Sequence, residues 1–262
     1  MDNLGHAYHS HNVFEEIKSY SDFYSSLGIS VFTFVSGGTR TLGNIDSYMY
    51  TSAEGTLESI GSLLMNGRIN DAYALVRKYF DSTVMSVYVN LYLQDHFGIE
   101  NFLVEKINQW VEGKESLPEY RVMSQYIRKS QKAKAVSEIL FSDKRYKELR
   151  ARCNDHTHYN FYKAVLLNDR NLYLKNREKL LDQLSHDIRD IFIYHISFVF
   201  LLNGHYMMSS DYVDAMECGA TPEDDSQYWV APFVQQAFSE VLSRHRSDVA
   251  AVIKANSFMK IE

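Results

Sequence analysis

Cysteine, proline and glycine are all scarce in this chain of 262 residues, and each scarcity excludes something. There are two cysteines, Cys153 and Cys218, with no CxxC spacing, so neither a disulfide scaffold nor a zinc knuckle is available. A reducing cytoplasm is the expected location. Three prolines (Pro118, Pro222, Pro232) and twelve glycines leave most of the chain free to form long helices. Long apolar runs are also missing. The most apolar stretch, Ile191 to Leu202, is interrupted by His195 and falls short of the roughly 20 residues a membrane span needs. It predicts a buried core helix, and no association with a membrane is expected. The opening segment, Met1 to His11, is polar and rich in histidine, unlike a secretory leader.

What is present is charge, unevenly spread. The formal net charge is −6, yet Arg121 to Arg152 holds ten basic residues against three acidic ones and is net +7. A local basic region on an acidic chain suits an anionic ligand, with solvated helix faces as the plainer account.

The first fifty residues differ in texture from the rest and are expected to form an extension packed on a helical domain covering 51–262, the two making one structural unit. Phe14, Ile17, Tyr20 and Tyr24 have helical spacing, whereas Ile29 to Val35 is β-branched and aromatic and predicts a short strand or buried extended segment. Gly38 and Gly43 have the glycine spacing of a phosphate-binding loop, but Asn44 and Ile45 stand where lysine and Ser/Thr belong, so a plain loop is expected.

From Thr51 the chain reads as helices joined by short turns. Leu57, Ile60, Leu63 and Leu64 form a stripe ended at Asn66-Gly67. Asn70 or Asp71 can cap a long second helix with Ala72, Leu75, Val76 and Tyr79 on its apolar side. Arg77 and Asp81 are four apart on it, an ordinary ion-pair spacing or a polar contribution to a cleft. Shorter helices follow at 118–128, 132–141 and 143–152, then long ones to Leu202 and from Phe233 to Lys254. The expected fold is all-α, with a small non-helical N-terminal piece.

The segment Leu149-Arg150-Ala151-Arg152-Cys153-Asn154-Asp155-His156-Thr157-His158-Tyr159-Asn160 concentrates the chemistry. Guanidinium and imidazole together suffice to cleave an RNA phosphodiester without a metal: one holds the phosphate, the other moves protons near neutral pH. Asn154 and Asp155 predict a helix break, with Asp155 capping a new helix through Leu167. That would place His156 and His158 in a first turn whose free N–H groups face a bound anion. The plainer alternative is Asn154 and Asp155 as caps, the arginines as helix-end charges and the histidines as packing. Arg189 and His195 repeat the spacing inside one continuous helix, where they stand far apart around the axis, so His195 is expected in the core. His6, His9 and His11 lack carboxylate or cysteine support, and no metal site or cofactor is expected.

The Leu149–Asn160 segment resembles the R-x(4–6)-H motif of the HEPN superfamily, and the hairpin carrying Ala72 to Asp81 resembles that family's first core helices. The resemblance covers about Thr51 to Leu202. It implies a four-helix core with extra flanking helices, and a metal-independent endoribonuclease of a bacterial defence or toxin–antitoxin system. The implied chemistry is attack of the 2′-OH on the adjacent phosphorus. RNA, a homodimer partner and an antitoxin or other defence-system protein are the implied partners. Carried over, the catalytic pair is Arg152 with His158, with His156 and Arg150 as further candidates and Asp155, Asn154 and Asn160 in support. Family arginines are often followed directly by Asn, Asp or His, whereas Ala151 and Cys153 stand here, which leaves the register open. A non-catalytic α-helical module binding nucleotide, RNA or a protein is the alternative.

Overall fold

The computed structural model describes residues 4–32, 44–172, 174–175 and 177–262, and among these every regular element is helical. In chain order the α-helices are α1 (Gly5–His9), α2 (Val13–Phe32), α3 (Ile45–Met65), α4 (Ile69–His96), α5 (Glu105–Val111), α6 (Tyr120–Lys129), α7 (Lys134–Leu140), α8 (Arg145–Thr157), α9 (Tyr162–Leu166), α10 (Arg177–Leu202), α11 (Asp211–Glu217), α12 (Pro232–Ala237) and α13 (Ser247–Asn256). No helix among the described residues is long and apolar enough to cross a membrane.

Two compact units divide the chain, and each combines residues from both sides of position 50. The first comprises Met1–Ser25, Tyr50–Thr83 and Asp143–Phe192; the second comprises Ser26–Met49, Val84–Ser142 and Ile193–Glu262.

In the first unit, aromatic side chains hold α2 to α10. Tyr20 stacks on Phe192 with centroids 4.3 Å apart, and Phe23 and Tyr24 meet the same ring edge-on. The buried hydroxyls of Tyr24 and Tyr79 satisfy one another at 3.0 Å. The Asn66-Gly67 signal ends α3 as expected. Gly67 takes φ +70°, its N–H bonds Leu64 O, and the Arg68 N–H bonds Leu63 O. A Cβ at Gly67 would lie 3.0 Å from the Leu4 side chain, so glycine is required by space as well as by φ. The tie between α3 and the N-terminus is completed by the Tyr8 hydroxyl, which donates to Leu64 O at 2.7 Å.

Asn70 and Asp71 do not precede α4 but lie within its first turn. The exposed amides there are met from outside. Asn168 Oδ1 accepts from the Asp71 N–H, Asn168 Nδ2 donates to the Asp71 carboxylate at 2.6 Å, and Leu167 O accepts from the Ile69 N–H. Asn70 is thereby released for another role.

The second unit has its own buried polar chain. Asp46 accepts hydrogen bonds from Asn90 Nδ2 at 2.9 Å and from the Tyr206 hydroxyl at 2.5 Å, and Asn203 Nδ2 donates to Asn90 Oδ1 at 2.9 Å. His195 is buried there, and burial alone holds its pKa down near 3, as befits a core histidine.

Two expectations are corrected. Ile29–Phe32 is not a strand but the last turn of α2; the buried stripe Tyr20, Phe23, Tyr24, Leu27, Val31 is helical throughout, and local β-branching does not override it. The described part of the N-terminal piece is therefore helical, while 33–43, including the glycine-rich segment, lies outside the described residues. The expected helix from Phe233 to Lys254 is split, because Arg246 has an extended φ of −145° between a π-helical turn, Phe238–Ser243, and α13.

Candidate active site

Residues from three helices of the first unit meet around the buried Cys153. On α4, Asn70, Tyr73, Arg77 and Asp81 recur at three- and four-residue intervals and so form one stripe. On α8, Tyr146, Leu149 and Cys153 are buried, and Arg150 with Asn154 and Arg152 with His156 flank them as i,i+4 pairs. α10 contributes Gln183 and Asp187, also four apart.

The break expected at Asn154 and Asp155 does not occur. α8 runs unbroken to Thr157 because its apolar stripe continues through Cys153 and its polar residues find partners elsewhere. Asn154 Oδ1 accepts from Arg77 Nη1, and Asp155 accepts from Asn160 Nδ2 at 2.8 Å, so neither caps a new helix. The helix ends three residues later in a Schellman motif: Tyr159 N–H to His156 O, and Asn160 N–H to Asp155 O. The residue that takes the left-handed conformation is Tyr159, at φ +48°, where glycine is the unstrained choice. His156 and His158 therefore sit at the C-terminal end of a helix, where carbonyls rather than N–H groups face outward, and a helix-dipole anion site is not formed there.

Each expected arginine has a carboxylate partner. Asp81 bridges two guanidiniums, accepting from Arg77 Nε at 2.8 Å and from Arg150 Nη1. Asp187 receives Arg152 in a two-point grip, through Nε at 3.0 Å and through Nη2, and Gln183 Nε2 donates to the same carboxylate at 3.1 Å. Asp187 is only 1 % exposed and Arg152 34 %. Burial works against the Arg152 charge, but the hydrogen bonds and field of Asp187 outweigh it and raise its pKa. The balance over Arg77, Arg150 and Arg152 against Asp81 and Asp187 is one positive charge in excess.

His156 is fixed by a ring face and by an edge nitrogen. Its ring stacks on Tyr73 with centroids 3.9 Å apart and planes 11° from parallel, and its Nδ1 lies 2.9 Å from Asn70 Oδ1. Burial pushes its pKa down to about 4, with Asp155 pulling it back up and Lys163 adding to the fall. The imidazole is neutral near pH 7, so Nδ1 donates to Asn70 and the lone pair rests on Nε2. His158 is exposed and has no side-chain hydrogen bond or ion pair among the described residues. It lies six residues from Arg152, about 240° around the helix, so the expected Arg152/His158 pair does not share a face; Arg152 and His156 do. Asn160 is exposed beyond the helix end, tied to Asp155.

Asn70, which the sequence marks only as a cap, joins the site together with Tyr73, Gln183 and Asp187, which lie outside the Arg/His motif. Asp187 had a legible signal: it stands in the apolar stripe Leu181, Leu184, Ile188, Ile191 of α10, where a carboxylate needs a buried partner. Among the described residues, no group of three or more His, Cys, Asp or Glu is placed to hold a metal ion. Comparison with protein-family models, curated proteins and solved structures returns no match.

Proposed function

We propose that this protein is a HEPN-like endoribonuclease that cleaves RNA without a metal, through the Arg/His end of α8. The observation that carries the reading is the neutral His156, oriented by Asn70 and Tyr73 one helical turn from Arg152, within a group of three guanidiniums in excess over their carboxylates. An imidazole with Nδ1 committed offers Nε2 as a base. It accepts the 2′-OH proton as that oxygen attacks phosphorus, and the excess guanidinium charge meets the developing phosphorane. The 5′ oxygen leaves with a proton, giving a 2′,3′-cyclic phosphate and a 5′-hydroxyl; DNA lacks the attacking group and is spared. The exposed His158 is the proton donor, in a homodimer that brings two motifs to one cleft. A defence or toxin–antitoxin role follows from the family resemblance and includes a partner that restrains the enzyme.

A second reading is favoured by one observation. The Nε and Nη2 edge of Arg152 is already occupied by Asp187, as suits a helical module that binds RNA, a nucleotide or a protein without cleaving anything. Expression in a bacterial host separates the two. A nuclease slows growth, and His156→Gln, which keeps the arginine network intact, relieves the effect at equal soluble protein. Unimpaired growth at high expression of the wild type, with RNA retained on the purified protein, selects the binding module.

A further inference from the structure

The basic segment identified in the sequence is only partly consumed by ion pairs. In the second unit, Lys132 pairs with Asp95 at 2.8 Å, but Arg128 and Lys129 have no carboxylate partner among the described residues. Both line a recess of about 360 Å³ at the α6–α7 corner, together with Lys134, Ser137, Glu138 and Phe141. Lys134 faces Glu138 at 3.7 Å, with both side chains more than half exposed, a contact worth little in water. Three cations against one carboxylate leave the recess at +2.

Two further features distinguish this recess from a merely basic surface. The Arg128 guanidinium lies 3.9 Å over the Phe141 ring, which pins a normally mobile side chain at the recess wall and lowers the ordering cost of binding. Ser137 is 4 % exposed, and its Oγ is buried with no hydrogen-bond partner. Several serine and threonine residues inside helices return their hydroxyl to a carbonyl three or four residues back, as Thr56, Ser59, Thr83 and Ser197 do, whereas Ser137, like Ser86, does not. An unpaired buried hydroxyl has an unmet hydrogen bond that a ligand can supply.

We propose that this recess binds the phosphate group of a small phosphomonoester, with Arg128, Lys129 and Lys134 neutralising the dianion and Ser137 Oγ donating to it. The +2 balance matches the charge of about −1.5 to −2 that a monoester carries near pH 7. The volume lies at the lower end of the roughly 300–1,000 Å³ typical of small-molecule sites, enough for a mononucleotide or sugar phosphate. The residues are distinct from those of the Arg/His site, so the proposal does not depend on ribonuclease activity.

Titration calorimetry on the full chain tests it, with AMP, ribose 5-phosphate and inorganic phosphate as ligands and adenosine as the uncharged control. The expected result is saturable binding of the phosphate-bearing ligands and none of adenosine. Similar affinities for all three would assign recognition to the phosphate alone, and a preference for AMP would add the base. Arg128→Gln/Lys129→Gln should weaken binding at least tenfold, whereas Lys144→Gln/Lys147→Gln, the same change of charge at exposed positions outside the recess, should leave it unaltered. Ser137→Ala should leave the ligand-free melting temperature unchanged or higher, yet weaken binding several-fold. Adenosine binding as tightly as AMP, equal loss in both double variants, or no saturable heat at millimolar ligand would overturn the proposal.

Discussion

Arg152→Ala should destabilise the protein more than any other single truncation at the candidate site, and the reason lies in its partner. Asp187 is 1 % exposed and takes hydrogen bonds from Arg152 Nε and Nη2 and from Gln183. Removing the guanidinium strands a buried carboxylate with one amide donor. Breaking a fully buried pair in this way costs about 3–5 kcal/mol. Arg152 is itself 34 % exposed, so water can enter the vacated space, and screening brings the expected cost to about 2–3 kcal/mol. Asp187→Asn should cost less, because it frees a side chain that can turn to solvent and keeps an amide in the buried position. Arg152→Met/Asp187→Leu should recover most of the loss, since an apolar pair of similar volume leaves no charge to desolvate. Urea unfolding followed by circular dichroism measures each term. An Arg152→Ala cost below about 0.5 kcal/mol, or no recovery in the double variant, would refute the reasoning. The consequence for activity assays is direct: loss of function in an Arg152 variant says little about catalysis unless folding is matched.

Three further outcomes follow from the same geometry. His156 has its folded pKa depressed to about 4 from the ordinary 6.5, so the native state binds fewer protons than the unfolded chain between those values; stability should fall by about 1–2 kcal/mol as pH drops from 6.5 to 4, allowing for partial solvent access, and His156→Gln should flatten part of that slope in melting curves. Tyr159→Gly should raise stability by about 0.5–1 kcal/mol by relieving the left-handed backbone at the end of α8, and a lower melting temperature would show that its side chain contributes more than its backbone costs. Cys153 is buried with its thiol pKa pushed up to about 12, whereas Cys218 is exposed, so a thiol reagent should label one site in the native protein and the second only on unfolding; two fast sites would contradict the packing of α8.

The all-helical fold was legible because few residues here disfavour helix and the apolar spacing is close to 3.6. Near the site local preference and tertiary structure part company. Tyr146, Leu149 and Cys153 form one helical stripe up to Asn154, but Asn and Asp have strong local preferences for caps, which predict a break there. Other partners decided otherwise: Arg77, from a distant helix, donates to the Asn154 side chain, and Asn160, just past the helix end, donates to Asp155. That shift of the helix end moved the imidazoles from an N-terminal to a C-terminal turn and changed the arginine's companion from His158 to His156. The arginines and histidines of the site could be listed from sequence, and the Arg77–Asp81 pair follows from its i,i+4 spacing, but the carboxylate partners of Arg150 and Arg152 could not be assigned. Asp81 lies 69 residues from Arg150 and Asp187 lies 35 from Arg152, and no local rule sets such pairs. Asn70 looked like a cap because asparagine at a helix start usually is one; Asn168, arriving from a distant turn, filled that need and left Asn70 to hold His156.

The central claim rests on His156 as an oriented, neutral base, and the most direct measurement is cleavage of end-labelled RNA in excess EDTA. Wild-type protein should be compared with His156→Gln and His158→Gln, each confirmed folded by circular dichroism, with the matching DNA as control. The account predicts fragments ending in 2′,3′-cyclic phosphate from the wild type, a loss of at least a hundredfold in His156→Gln, and intact DNA throughout. Undiminished cleavage by His156→Gln, or RNA left whole by the wild type under conditions where it binds, would contradict it.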